Sequence, residues 1–318
     1  MRFIFRKKKQ SSTLNDFKVH ILGSAAAVPT LTRNASGQLL LCNNRLILLD
    51  CGEGTQLQLR KFNLPIQRIN TILISHLHGD HFYGLPGLLS TMSLLGRTAG
   101  IKIFGPSSLQ IILDAMFNAS QTHPSFPYEF IAIKTSEKEV IFEDAGVKIS
   151  AFPLQHRIET YGFSIEEKWQ RFSLDMNRVL DAGLTKEHLK LLATGTSFRL
   201  NDGRWIEATY YTKPKPNPRI YSYCSDTKPF SQLPSYLLGT TTLYHESTFL
   251  HNLKNRANDT FHSTAKDAAV LAQKIQVKKL LLGHFSSRYD DISLFESEAQ
   301  TIITEVYAVR DGDCFSVV

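Results

Sequence analysis

The chain has 318 residues, 42% hydrophobic and 20% charged, an ordinary globular composition with room for one large core or two domains. No apolar run approaches the roughly 18–20 residues of a membrane span. The net charge of +7 permits a polyanionic partner without establishing one. The cysteines Cys42, Cys51, Cys224 and Cys314 are scattered and form no CxxC pair, which fits a reducing cytoplasm.

The basic start, Met1 to Lys9, lacks a signal-peptide apolar region and is expected to be a solvated end, with a phosphate-touching tail as the alternative. Phe17–Leu22 reads as a strand, with His20 a core or edge residue. Gln38–Leu41 and Arg45–Asp50 read as strands joined by a tight Asn43-Asn44 turn. Asp50–Thr55 opens a helix through about Phe62. Ile69–Ile74 reads as a buried strand, and Leu85, Leu88, Leu89, Met92 and Leu95 repeat at helical spacing after a proline suited to a first turn. Ile101–Pro106 is a strand and a helix follows from Ser107 to about Asn118. Tyr128–Ile133, Glu139–Phe142 and Val147–Phe152 read as one antiparallel set, followed by the strand Tyr161–Ile165.

From about Glu166 to Asn217 the periodicity is lost, apart from a short helix at Thr185–Leu192, a turn at Asn201–Arg204 and an extended proline-rich return at 213–218. The expected organisation is therefore 1–165 and 218–318 as halves of one core, with 166–217 an inserted arm. The second half reads as strands at Arg219–Cys224, Thr240–Tyr244 and Lys278–Leu282, helices opening near Ala265 and Ser293, and a last strand Val306–Arg310.

Between the strand Ile69–Ile74 and the helix that follows lies Ser75-His76-Leu77-His78-Gly79-Asp80-His81, read as a loop. Imidazole and carboxylate suit zinc and similar divalent ions. His76 and His78, two apart on an extended loop, can point the same way, and Asp80 and His81 can serve a second ion. The bland alternative is a solvated polar turn, but density and strand–loop–helix context favour a metal site.

His76-x-His78-x-Asp80-His81 resembles the signature of the metallo-β-lactamase superfamily. That resemblance implies an α/β fold, a four-layer αββα sandwich with metals at one edge. His156 stands before Tyr161-Gly162-Phe163, as a histidine does in the superfamily. By resemblance, His76, His78 and His156 would hold one zinc, Asp80, His81 and His284 the other, and Asp226 would bridge them. Such a pair acts through a metal-bound hydroxide, and manganese is the alternative ion.

Further stretches narrow the substrate. Leu22-Gly23-Ser24, Asp50-Cys51-Gly52-Glu53-Gly54-Thr55-Gln56, His245-Glu246-Ser247-Thr248, His262-Ser263-Thr264 and His284–Tyr289 resemble the ribonuclease Z family, endonucleases that trim precursor tRNA 3′ ends. The resemblance implies His262 as general acid for the leaving ribose oxygen. Glu246 would orient it and Asp80 would guide the water's proton as well as bind metal. Arg288, Tyr289 and Arg33 are phosphate candidates, while His123, His188, His245 and His251 read as structural or exposed. The segment 166–217 sits where family members carry a tRNA-gripping arm, although the Gly- and Pro-rich tip is missing, and Lys213, Lys215 and Arg219 could touch phosphates or be solvated. Short family members are homodimers, so a dimer is expected by resemblance. The runner-up is a phosphodiesterase for small or cyclic nucleotide esters. A diiron redox protein would have a carboxylate in place of His78, and an RNA-binding module would not need seven intact ligands.

Overall fold

The structure, a computed structural model, describes residues 16–169 and 171–318. The basic start therefore lies outside the described residues. Two seven-stranded sheets stack face to face. The first runs in the order Cys314–Ser316, Phe17–Gly23, Gly37–Cys42, Arg45–Cys51, Ile69–Leu73, Ile101–Pro106, Tyr128–Ile133. The second runs Val306–Ala308, Lys279–Gly283, Thr242–Glu246, Ile220–Cys224, Tyr161–Glu167, Val147–Pro153, Glu139–Glu143.

Period-two alternation explains the layers even where strands are wholly apolar. In the hairpin around Asn43-Asn44, Leu40, Ile47 and Leu49 face the core between the sheets. Leu39, Leu46 and Leu48 face the opposite way, onto Leu59, Leu85, Leu88 and Met92 of the covering helices. Both turn asparagines take positive φ, 45° and 66°, as a tight hairpin requires. The second sheet is covered by Ala268, Ala269 and Ala272 of the helix Ala265–Lys274 and by Phe295 of the helix Ser293–Gln300. The result is the four-layer αββα sandwich.

Three expectations need correction. Tyr128–Ile133 does not join the two strands after it. It pairs in parallel with Ile101–Pro106 at the edge of the first sheet, because the helix Ser108–Ser120 between them makes a crossover connection. Only Glu139–Glu143 and Val147–Pro153 are antiparallel neighbours. The chain does not end on the strand at 306–308, since Cys314–Ser316 adds an edge to the first sheet beside Phe17–Gly23. Three residues are too few to leave a periodic signal. Finally, Asp80 and His81 sit on a single helical turn, Gly79–Phe82, not in open loop.

Residues 172–212 carry the short helices Met176–Leu180, Lys186–Ala193 and Ala208–Tyr211 and the hairpin Phe198–Arg199 with Trp205–Ile206. They close on a small core of their own around Leu192, Ile206 and Ala208. Thr185 caps its helix, accepting from the His188 amide while the His188 ring accepts from the Thr185 amide. Arg219 is not available to a phosphate, because it is forked onto the buried Glu167 at 2.7 and 2.6 Å. Lys215 lies over the Phe172 ring and donates to the Trp169 carbonyl.

The histidine-rich turn is seated by backbone contact. A Cβ on Gly52 would fall 2.3 Å from the Asp80 carbonyl, and one on Gly84 only 2.0 Å from the Gly52 carbonyl. Gly52→Ala should therefore push the turn off the sheet and cost about 1–3 kcal/mol. Chemical denaturation checks this, and an unchanged midpoint would contradict the close packing.

Candidate active site

The strands Ile220–Cys224, Thr242–Glu246 and Lys279–Gly283 run parallel, with Cys224 beside His245 and Glu246 beside Gly283. Their carboxyl ends deliver Asp226, Glu246 and His284 to one edge. The parallel strands Arg45–Cys51 and Ile69–Leu73 deliver Asp50 and the His76–His81 turn to the same edge. This is where open α/β sheets place ligands.

Two donor sets meet there. In the first, His78 Nδ1 lies 3.1 Å from His76 Nε2 and 3.2 Å from His156 Nε2. Asp226 Oδ2 is 3.6 Å from His76 Nε2 and 3.7 Å from His156 Nε2. In the second, His81 Nε2 is 3.3 Å from His284 Nε2 and 3.3 Å from Asp80 Oδ2. Asp226 Oδ1 faces this set, 3.3 Å from His81 Nε2 and 3.2 Å from His284 Nε2. One carboxylate thus turns one oxygen to each set.

The outer hydrogen bonds fix which imidazole nitrogens carry lone pairs. His81 Nδ1–H donates to Asp50 Oδ2 at 2.8 Å and His156 Nδ1–H to the Phe261 carbonyl at 2.9 Å. The Ser75 hydroxyl gives its proton to Asp50 Oδ2 and accepts from His76 Nδ1–H at 2.9 Å. The Thr248 hydroxyl gives its proton to Glu246 Oε2 and accepts from His284 Nδ1–H at 2.9 Å. In the neutral rings all four Nε2 lone pairs therefore point inward. Burial lowers the pKa of His76, His78 and His156, favouring that neutral form. Burial also acts on His81, but Asp80, Asp226 and Asp50 outweigh it and raise its pKa. Asp226 Oδ1 is buried without a hydrogen-bond donor. Converging lone pairs around an orphaned carboxylate oxygen are the donor set of a divalent cation, so the residues fit one.

Beside the donor sets stands a histidine–carboxylate pair. His262 Nδ1–H donates to Glu246 Oε1 at 2.9 Å. Glu246 is fully buried and also accepts from the amides of Thr227, Ser263 and Thr248. Burial opposes a charge on His262, but the Glu246 carboxylate overrides it and raises the pKa to about 9. Its ring is 5.2 Å from His156 and 5.5 Å from His284, centroid to centroid.

Comparisons with known proteins name several relatives. The curated Ribonuclease Z of Cytophaga hutchinsonii is 40% identical over 304 residues, 95% of this chain and 96% of that protein. The Ribonuclease Z of Porphyromonas gingivalis strain W83 is 37% identical over 295 residues, 93% of this chain and 97% of that protein. The chain belongs to the ribonuclease Z family. A family model described as Anti-Pycsar protein Apyc1 matches residues 17–192, and the chain falls within that family too. Among solved structures, human tRNase Z, short form, is 29% identical with a TM-score of 0.68, covering 95% of this chain and 99% of that one. The metallo-β-lactamase fold protein YhfI from Bacillus subtilis, 17% identical with a TM-score of 0.67, shares the fold.

In this ribonuclease Z chain the site opens into a cavity of about 690 Å³. Arg288 lines it, with its guanidinium over the Phe249 ring and Nε on Ser286 Oγ at 2.9 Å. Two of the phosphate candidates do not line this cavity. Arg33 is buried, donates to the Ser286 carbonyl at 3.3 Å and does not line the cavity. The Tyr289 hydroxyl accepts from the Leu250 amide and its ring packs on Phe295. Arg157 and Arg256 do line the cavity. Neither belongs to a motif, and no spacing rule singles out a lone arginine. Asp50 is the larger omission. It accepts from the Ser75 amide and hydroxyl, His81 and the Tyr223 hydroxyl. Its place at a strand end in a glycine-rich motif was the available signal.

Asp50→Ala removes the shared acceptor of a fully buried network, so it should cost about 3–5 kcal/mol in urea denaturation of the metal-stripped protein. A cost below about 1 kcal/mol would show the network to be dispensable.

Proposed function

We propose that this chain is a divalent-metal-dependent endoribonuclease that cuts precursor tRNA at its 3′ end. It would leave a 3′-hydroxyl on the tRNA and a 5′-phosphate on the released trailer. One observation carries this reading: both donor sets, bridged by Asp226, lie beside the His262–Glu246 pair in a cavity walled by Arg157, Arg256 and Arg288. The names of the curated relatives and of the human neighbour point to the same substrate.

His76, His78 and His156 would hold one ion and Asp80, His81 and His284 the other, with Asp226 shared. We assign zinc to both, since imidazole with carboxylate suits it, and manganese as the substitute. When bound, such a pair supplies Lewis acidity, bringing water's pKa down towards about 7 and offsetting phosphate charge. The chain does the rest. Arg157, Arg256 and Arg288 bind the phosphates of the strand. Asp80, whose Oδ2 accepts from the Ala27 amide at 2.8 Å, guides the attacking water's proton. His262 holds a proton on Nε2 for the departing ribose oxygen, and Glu246 keeps the ring aimed through Nδ1.

Residues 166–217 serve in this reading as an arm that touches the tRNA body. The enzyme works as a homodimer whose arms reach RNA held by the partner. Free cysteines, three of them buried, accord with a cytoplasmic setting. Among the described residues no helix is long and apolar enough to cross a membrane.

Purified protein given an unprocessed tRNA and zinc should release the trailer, and chelation should abolish the cut. Turnover of a small phosphodiester with no cut in the tRNA would transfer the assignment to the nucleotide-ester reading. His262→Ala should retain its metal by elemental analysis and lose about 10²–10⁴ in kcat. An unchanged kcat would remove His262 from the mechanism. Because three arginines line the cavity, KM for the precursor should rise steeply between low and physiological salt, and a flat response would argue against a polyanionic substrate.

A further inference from the structure

His245 and Ser263, the chain neighbours of the catalytic pair, line a second cavity that shares no wall residue with the first. Its volume is about 380 Å³, within the ~300–1,000 Å³ usual for small-molecule sites. His245 is 1% exposed. Its Nδ1–H donates to the Glu246 carbonyl at 2.7 Å, so Nε2 carries the lone pair, and no group of the described chain meets it. Burial lowers its pKa and keeps the ring neutral. An acceptor open to a cavity offers a hydrogen bond to whatever fills it.

The rest of the wall is part cationic and part apolar. Lys266, Val270 and Lys274 recur every four residues along the helix Ala265–Lys274 and so share a face, and Lys254 joins them from the preceding helix. Among the described residues none of these lysines has an acidic partner. The acidic wall residue, Asp267, is already engaged by the amide and hydroxyl of Thr264. Glu298, nearby, accepts from the amides of His251 and Lys266. Leu233 and Phe230 also line this cavity, the latter with its ring edge-on to His245 at 6.4 Å.

We propose that this second cavity binds a nucleotide monophosphate unit, its phosphate on Lys254, Lys266 and Lys274 and its base against Phe230, donating an amino hydrogen to His245 Nε2. The unit comes either from a free mononucleotide or from a nucleotide of the RNA strand. A ligand here presses on the strand and helix start that carry Glu246 and His262, because Ser263 bonds both the Glu246 carboxylate and the Thr227 carbonyl.

AMP titrated by calorimetry into the full, zinc-loaded chain tests this, in parallel with the variant Lys266→Glu/Lys274→Glu. Both positions are exposed, so the variant should fold and keep its kcat. The parent should hold one more AMP than the variant, and ribose 5-phosphate should bind that site about tenfold more weakly than AMP. Identical isotherms for parent and variant, or AMP and ribose 5-phosphate bound alike, would overturn the assignment. KM for precursor tRNA then separates the sources. An unchanged KM in the variant assigns the site to a free nucleotide, and a rise of about fivefold or more assigns it to the RNA strand.

Discussion

Where the imidazole protons sit governs the rest of this site. In their neutral form four rings spend Nδ1–H on Ser75, Asp50, Phe261 and Thr248, and each bond leaves its Nε2 lone pair facing inward. Had any ring the other tautomer, a proton would point into the cluster and block a cation. These outer partners are themselves ordered by burial and by further bonds, so the tautomers are set by the fold and not by the ligands alone. Asp226 completes the arrangement, with one oxygen for each donor set.

Holding so many groups at one edge distorts the backbone. Asp50, Phe261 and His284 all have left-handed φ, at 52°, 61° and 58°. Such residues cost about 1–3 kcal/mol each outside glycine. Each does something that an extended residue in the same place would not. Asp50 turns its carboxylate back onto Ser75 and His81. Phe261 presents its carbonyl to His156, and His284 turns inward directly after its strand. The two large sheets, packed on a shared core, offset this cost.

Thr248 and Glu246 join the two kinds of chemistry. The Thr248 hydroxyl links His284, in one donor set, to the Glu246 carboxylate, which in turn holds His262. A shift at His284 is thereby passed to His262 through three hydrogen bonds. The second cavity touches the same relay from His245 and Ser263, so any occupant there is coupled to it by contact.

Much of this was legible in the residues themselves. The His76–His81 signature, the apolar strands and the turn at Asn43-Asn44 are local patterns, and their spacing is enough to specify strand, turn and ligand type. Within residues 172–212 the helix after Thr185 and the turn at 201–204 were legible, while the other short elements were not, because short pieces around a three-residue core leave little periodicity. The placing of Tyr128–Ile133 in the first sheet was equally hidden, since a short gap before the next strand looks the same whether the chain turns back or crosses between layers. Composition and local pattern thus determined the elements and the donors by kind. Only the tertiary structure decided that Arg157 and Arg256 wall the cavity while Arg33 and Tyr289 do not, and that Asp50 orients His81. The physical reason is that those roles rest on contacts between residues far apart in the chain, set by sheet pairing and packing and not by any sequence spacing.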